Sequence, residues 1–184
     1  MEDEDGDSME CSEPQTDPSA LQRKLYFLNE ELQKMARDLP LKYQQRIPNE
    51  LLCALAASLV DSTVFKIVSA LIDIQHVTEK QLINHRNSLL LSHREEIEEM
   101  TKKHQDPAVL YANTETLKLK HKMKLKEFDK GCILTLDEKL HDQQTFLEKA
   151  GVPGFEMTDD PAKIQVQVRL LDFIIRLSKM EMTE

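Results

Sequence analysis

The residues closest to a catalytic arrangement are two pairs that resemble a metal-ligand motif. Glu138 and His141 have the Glu-x-x-His spacing of di-iron carboxylate bundles, and Asp73 with His76 makes an imperfect second pair. Such a bundle needs this motif on two helices and a further glutamate on each of two more, all pointing inward. Glu138 precedes Lys139, so a solvated charged face explains it better. We therefore predict no metal ligands, and a metal-binding helical bundle stays as the second alternative function.

The remaining reactive side chains lack the companions that catalysis requires. The six histidines are scattered over residues 76–141 without a His-x-x-x-His spacing, and no histidine neighbours Cys53 or Cys132. No glycine-rich phosphate loop and no Gly-x-Ser-x-Gly motif is present. We predict no catalytic residue and no cofactor, and hence that the protein is not an enzyme.

A run of lysines is the feature that could bind nucleic acid. The run carries six lysines against Glu127 and Asp129: Lys118, Lys120, Lys122, Lys124, Lys126 and Lys130. On a helix, steps of two rotate by about 200°, so these lysines spread around the cylinder instead of forming one stripe. Interleaved arginine and aromatic residues are also missing. We favour a solvated helix exterior, and a nuclear nucleic-acid-associated protein using Lys118–Lys130 stays as the first alternative.

Glycine content and charge distribution bound the fold. The chain has four glycines, and none lies between Asp7 and Lys130, which argues against sheet and nucleotide-binding α/β folds because both need glycine in tight turns. Eight of the 33 acidic residues precede Pro18, where there is no lysine or arginine. Residues 1–16 are therefore predicted to form a disordered acidic tail, and the rest of the chain an all-α fold.

The chain carries no signal for secretion or membrane insertion. Three widely spaced cysteines do not suit a disulfide framework, and no apolar signal region follows Met1. The longest apolar stretch, Leu51 to Val60, is too short to cross a bilayer. We expect an intracellular protein of the nucleus, the cytoplasm or both, without membrane insertion.

The first predicted helix, 17–39, is amphipathic and ends at Pro40. Its apolar residues recur at heptad spacing and define what we name the first seam: Leu21, Leu25, Leu28, Leu32 and Met35. An isolated helix of about twenty residues is marginal in water, so this stripe needs another surface. We predict that the first seam binds a partner, with self-association as the nearest test and packing within the chain as the alternative.

Residues 48–180 are predicted to form one helical domain. Its core is expected from residues 48–75 and the C-terminal helix 161–178, in which a buried helix rich in leucine and alanine starts near Pro48. Thr78 with Gln81 fits a capping box that would open a helix over 79–105, and Asp106-Pro107 would open another over 107–150. These two long helices are expected to form an antiparallel coiled-coil-like pair. Gly131 suggests a bend or a close helix approach.

Three segments carry a resemblance to a known family. They are LVDSTVFKIV from residue 59, DIQHVTEKQL from residue 73 and LDEKLHDQQTFLEKAGVPGF from residue 136. They resemble the gonadal protein family, which also contains the DiGeorge syndrome critical region protein six, and the similarity spans about Leu39 to Lys179. The resemblance implies a non-enzymatic, mainly helical protein linked to development and gonadal expression, with a distant likeness to a laminin coiled-coil segment. It supplies no catalytic or ligand residues.

The sequence as a whole predicts a non-catalytic interaction protein, acting as an adaptor or an assembly subunit. A heptad seam that is not buried within its own chain must find a partner helix. We therefore expect protein partners that bind through the amphipathic helices.

Overall fold

The computed structural model describes residues 18–103 and 106–181, and all regular structure in these ranges is α-helix. The helices are α1 (Pro18–Arg37), α2 (Leu41–Gln44), α3 (Asn49–Leu59), α4 (Thr63–Lys103), α5 (Pro107–Lys149) and α6 (Pro161–Glu181). The predicted all-α class is confirmed. The predicted acidic tail, residues 1–16, and the cap expected at Asp17 lie outside the described residues.

The chain divides into two compact units, Met1–Asp61 and Ser62–Glu184. In the described residues the first unit holds α1, α2 and α3, and the second holds α4, α5 and α6. The helical domain predicted over residues 48–180 spans parts of both units, since its first helix, α3, packs against α1.

The first unit is built on the packing of α1 against α3. Leu28 and Leu32 of α1 and Leu55 of α3 are fully buried. The segment after Pro40 contains the short helix α2. The helix predicted near Pro48, α3, is buried on one face, whereas the other face exposes small residues, including Cys53 and Ala54.

The second unit begins with α4, which runs without a break from Thr63 to Lys103. The helix start predicted at Thr78 is therefore wrong. The Thr78 hydroxyl donates a hydrogen bond of 2.9 Å to the carbonyl of Ile74 within the helix. A threonine in mid-helix can bond back to the preceding turn in this way, so its hydroxyl is not available to cap a new helix.

The helices α4 and α5 form the predicted long antiparallel pair. Three side-chain hydrogen bonds between the two helices set its register. They join Gln75 to Gln143, Arg86 to Asp129 and Glu96 to His121. Residue numbers fall along one helix as they rise along the other, as antiparallel packing requires. The third helix of the unit, α6, packs against α4.

The predicted start of α5 at Asp106-Pro107 is confirmed, and the same kind of cap opens α6. Asp106 and Asp160 each accept a hydrogen bond of 2.9 Å from the backbone N–H two residues later, with proline at the first helical position. At the end of α5, Gly151 has a φ of +71°, and the N–H of Val152 bonds the carbonyl of Leu147. This left-handed glycine terminates the helix.

Gly131 lies in the interior of α5, and the close helix approach expected there is not found. A Cβ added at Gly131 would meet no atom within 4 Å outside the helix itself.

Gly131→Ala should therefore raise the free energy of unfolding by about 1 kcal/mol, because alanine loses less backbone entropy in a helix. Chemical denaturation measures the change. Gly151→Ala is the matched control and should destabilise, because its φ is unfavourable for a residue with a Cβ. A neutral or destabilising Gly131→Ala would contradict the expectation.

Candidate functional site

A groove between α4, α5 and α6 is one concave feature of the second unit. Its cavity volume is about 500 Å³, within the range typical of binding pockets. Apolar side chains line most of it, including Leu136 and Leu140 of α5 and four residues of α6. We name this cavity the three-helix groove.

The helix α6 carries two apolar stripes on different sides. The side chains of one stripe are at most 1% exposed: Leu170, Phe173, Ile174 and Leu177. The other stripe lines the three-helix groove and stays partly or largely exposed, with steps of four, three and four residues: Ile164, Val168, Leu171 and Ile175. It extends over about 16 Å, or three helical turns. The prediction that the C-terminal helix 161–178 faces the core therefore holds for one stripe and not for the other.

Amide side chains form a polar wall between α4 and α5. The Gln143 amide nitrogen donates to the Gln75 oxygen at 2.7 Å, and the Gln75 nitrogen donates to a Glu79 carboxylate oxygen at 2.7 Å. All three residues line the three-helix groove. The groove thus offers a carboxylate and hydrogen-bonding amides beside its apolar surface.

A second set of amides holds the segment between α5 and α6 in place. Gln144 is only 2% exposed, and its amide nitrogen donates to the carbonyl of Thr158 at 3.2 Å and to the Gln167 side-chain oxygen at 3.0 Å. The N–H of Thr158 donates to the Gln144 oxygen at 3.3 Å, and the Gln167 nitrogen donates to the Glu156 carbonyl at 2.8 Å. These bonds fix α6 against α5 and so set the width of the groove.

The rim charges of the three-helix groove are paired within the chain. Lys139 lies 2.9 Å from Asp142, which raises the pKa of the lysine through the hydrogen bond and the nearby negative charge. Asp172 pairs with Arg176 at 2.8 Å. Because these two charges are already compensated, the groove offers a ligand its apolar surface together with the amides and the Glu79 carboxylate.

A histidine layer interrupts the apolar packing of α4 against α5. The rings of His93 and His121 stack with centroids 4.0 Å apart, and the His121 Nε2 lies 2.9 Å from a Glu96 carboxylate oxygen. The His93 Nε2 is buried and has no hydrogen-bond partner among the residues that the structure describes. Burial lowers the pKa of His93, and the charge of His121 lowers it further, against the opposing effect of Glu96. The hydrogen bond from His121 lowers the pKa of Glu96.

The histidine layer should make the second unit less stable in mild acid. The pKa of His93 is lowered in the folded state, so the unfolded chain takes up the proton first as the pH falls below the ordinary histidine value of 6.5. The free energy of unfolding should therefore fall from that pH downwards, until His93 is protonated in the folded state as well. Glu96 adds a loss at lower pH, because its pKa is also lowered.

Urea denaturation across pH measures this dependence. His93→Leu should flatten the part of the profile between neutral pH and the pKa of the folded histidine. His85→Leu is the control, because His85 is exposed on the same helix. An unchanged profile for His93→Leu would contradict this account.

The residues of the first seam have different environments. Leu28 and Leu32 are fully buried and Met35 is 7% exposed, whereas Leu21 is 37% exposed and Leu25 is intermediate. The buried residues of the first seam therefore pack within the chain, which is the alternative given for this seam above. Leu21 and Leu25 keep an accessible surface, and partner binding through them stays a prediction.

The sequence-level metal candidates do not form a cluster in the described part of the chain. Within residues 18–103 and 106–181, no three His, Cys, Asp or Glu side chains are placed to hold a metal ion. His141 is engaged elsewhere, with its Nε2 2.8 Å from an Asp159 carboxylate oxygen. Cys53 and Cys132 are free thiols.

The lysine run lies along α5, beside an acidic part of α4. Lys118 pairs with Glu115 and Lys130 pairs with Glu127 on the same helix. Across the pair, Lys124 lies close enough to Glu96 to lower the pKa of that carboxyl. This part of α4 contains four glutamates: Glu95, Glu96, Glu98 and Glu99. The lysines therefore have acidic neighbours within the chain, which weakens the case for nucleic-acid binding.

In the described residues, no single helix is long and apolar enough to cross a membrane.

Comparisons with known proteins place the chain in one family. A family model described as "DiGeorge syndrome critical region 6 (DGCR6) protein" matches residues 6–184. "Gonadal protein gdl" of Drosophila melanogaster is 42% identical over 167 residues, covering 91% of this chain and 86% of the relative. "Protein DGCR6" of Gallus gallus is 35% identical over 176 residues, covering 89% and 88%. No solved structure matches the chain.

Proposed function

We propose that this chain, which belongs to the DiGeorge syndrome critical region 6 protein family, is a non-catalytic adaptor or assembly protein that binds an amphipathic helix of a protein partner. The partner helix lies in the three-helix groove. Its apolar residues meet the exposed stripe of α6 and the flanking side chains of α4 and α5.

The observation that carries this proposal is the exposed stripe of α6. Ile164, Val168, Leu171 and Ile175 repeat at the spacing by which one helix packs on another, and they line a cavity of about 500 Å³. Binding of an amphipathic helix in an apolar groove is a common mode of peptide recognition, read by residues at i, i+3 or i+4, and i+7. The stripe would accommodate about three turns of the partner.

The polar groups of the groove support a protein ligand. Glu79 accepts a hydrogen bond from Gln75 and makes no ion pair with another described residue. Its carboxylate can therefore pair with a lysine or arginine near the C-terminal end of the partner helix, where the helix dipole favours cations. The amides of Gln75 and Gln143 offer hydrogen bonds to a polar side chain at the edge of the interface.

The wider setting of the function is part of the same proposal. The lack of a catalytic motif in the sequence supports a non-enzymatic role, and the cysteine spacing supports an intracellular site in the nucleus, the cytoplasm or both. The gonadal name belongs to the fly relative. We extend it to this chain as a proposed role in gonads or in development.

Selection from a phage-displayed library of amphipathic helical peptides tests the groove directly. The full chain should enrich peptides with apolar residues at i, i+4, i+7 and i+11. Val168→Arg and Leu136→Arg should each weaken the selected peptide by about tenfold or more, because a cation then faces its apolar stripe. Both residues line the groove and are 49% and 39% exposed, so the variants should fold. Fluorescence anisotropy gives the Kd.

Leu134→Arg is the matched control. Leu134 lies on α5, as Leu136 does, but it is 70% exposed and does not line the groove. It should leave the Kd within about twofold of wild type. Peptides without the apolar spacing, or equal losses in the control and the groove variants, would overturn the proposal.

A further inference from the structure

A second concave surface lies between the C-terminal half of α4 and the N-terminal half of α5. Leu90 and Ile97 of α4 and Leu125 of α5 form its apolar floor, and its volume is about 590 Å³. We name it the hairpin trough. It shares no lining residue with the three-helix groove, and along α4 its residue Leu90 lies about 16 Å from Glu79 of the groove.

The α4 part of the apolar floor belongs to a heptad stripe that flanks the packing of α4 against α5. Ile83, Leu90 and Ile97 are seven residues apart, so they lie on one side of the helix. Ile83 is 59% exposed and Leu90 is 40% exposed, although both are large apolar residues. A stripe with this period is what a further helix would pack against.

The edge of the trough on α5 is cationic. Lys118 and Lys122 line it; Lys118 pairs with Glu115 on the same helix at 2.9 Å, whereas Lys122 makes no ion pair with another described residue. On the α4 edge, Arg94 and Glu98 also line the trough and pair with each other at 3.0 Å. The uncompensated positive charge of the lining is therefore that of Lys122, on the α5 side of the apolar floor.

We propose that the hairpin trough binds a second kind of ligand, an acidic amphipathic helix of a protein partner. Its apolar residues pack at heptad spacing on Ile83, Leu90 and Ile97, and its glutamates or aspartates face Lys118 and Lys122. Complementary charge across such an edge fixes the orientation of the partner and raises its association rate. The concave shape favours a helix over a lipid surface, because a membrane-binding face presents its apolar side chains outward.

Two synthetic helices test this assignment on the full chain. Both are about three heptads long with leucines at the packing positions, and they differ only in flanking glutamates or flanking lysines. The glutamate peptide should bind at least about tenfold more tightly than the lysine peptide, and high salt should reduce the difference. In the double variant Lys118→Glu with Lys122→Glu, the preference should reverse.

Lys120→Glu is the matched control, because Lys120 is exposed on the same helix and does not line the trough. It should leave the Kd of the glutamate peptide within about twofold of wild type. Val168→Arg in the three-helix groove should also leave it unchanged, which separates this proposal from the proposed function.

Three outcomes would overturn the assignment. The first is that the glutamate peptide does not bind, or binds no better than the lysine peptide. The second is that Lys120→Glu weakens binding of the glutamate peptide as much as the double variant Lys118→Glu with Lys122→Glu does. The third is that the chain binds phosphatidylserine vesicles through Lys118 and Lys122 while neither peptide competes, which would make the trough a lipid-binding surface.

Discussion

Leu28→Asp is expected to unfold the packing of α1 against α3, at a cost of about 4 kcal/mol. Leu28 has no exposed surface, so an aspartate there must lose its hydration without a partner charge. The described part of the first unit is small, and a unit of this size has only a few kcal/mol of stability to lose. Hydrogen exchange of the amides of α1 and α3 should rise to that of unfolded chain.

Leu21→Asp is the control for this prediction. It lies on the same stripe of α1 but is 37% exposed, so the new carboxylate stays hydrated. It should change the stability of the first unit by less than about 0.5 kcal/mol. Slow exchange of α1 and α3 in Leu28→Asp would show that the burial of Leu28 does not stabilise the unit.

Gln144→Ala is expected to cost about 3 kcal/mol of stability in the second unit. The substitution removes the partner of the Thr158 N–H, the Thr158 carbonyl and the Gln167 side-chain oxygen. It also leaves a cavity at a site that is 2% exposed. Thermal unfolding should shift downwards by about 10 °C, because a chain of this size loses a few degrees per kcal/mol.

Gln143→Ala is the matched control, because Gln143 is the preceding residue but lies at an intermediate depth and bonds the Gln75 side chain alone in the described structure. It should lose clearly less stability than Gln144→Ala. The groove should also lose its peptide affinity in Gln144→Ala at temperatures where the helices persist, because α6 is no longer fixed against α5. Equal stability losses in the two variants would contradict a special role for Gln144.

Helix ends were predictable where one side chain decides them. The aspartates at 106 and 160 are each followed by proline, and each side chain caps its helix as the sequence indicates. Gly151 ends α5 because its left-handed φ suits glycine. Such signals act over a few residues, so they can be read without tertiary structure.

The continuity of α4 was not predictable from the same kind of signal. Thr78 and Gln81 match a capping box, but the motif fits the middle of a helix equally well, where the threonine hydroxyl bonds the preceding turn. The choice depends on the packing of α4 against α5, which holds the helix together on both sides of Thr78. Local sequence does not encode that packing.

The division of the first seam and the presence of the groove also depend on tertiary contacts. Heptad spacing predicted that Leu21 to Met35 form one stripe, yet only its second half is buried. On α6, helical periodicity places the buried stripe and the groove stripe on different sides, but both stripes are apolar, so periodicity alone cannot tell which one is covered. Which stripe is covered depends on where α6 lies on α4.

Hydrogen–deuterium exchange of the full chain, with and without the peptide selected by phage display, tests the binding of a helix in the groove most directly. The account predicts slower exchange in residues 164–175 of α6 and 136–147 of α5, the segments that line the three-helix groove. Leu134→Arg should keep this protection and Val168→Arg should lose it. Protection confined to other segments, or none at a saturating peptide concentration, would contradict the account.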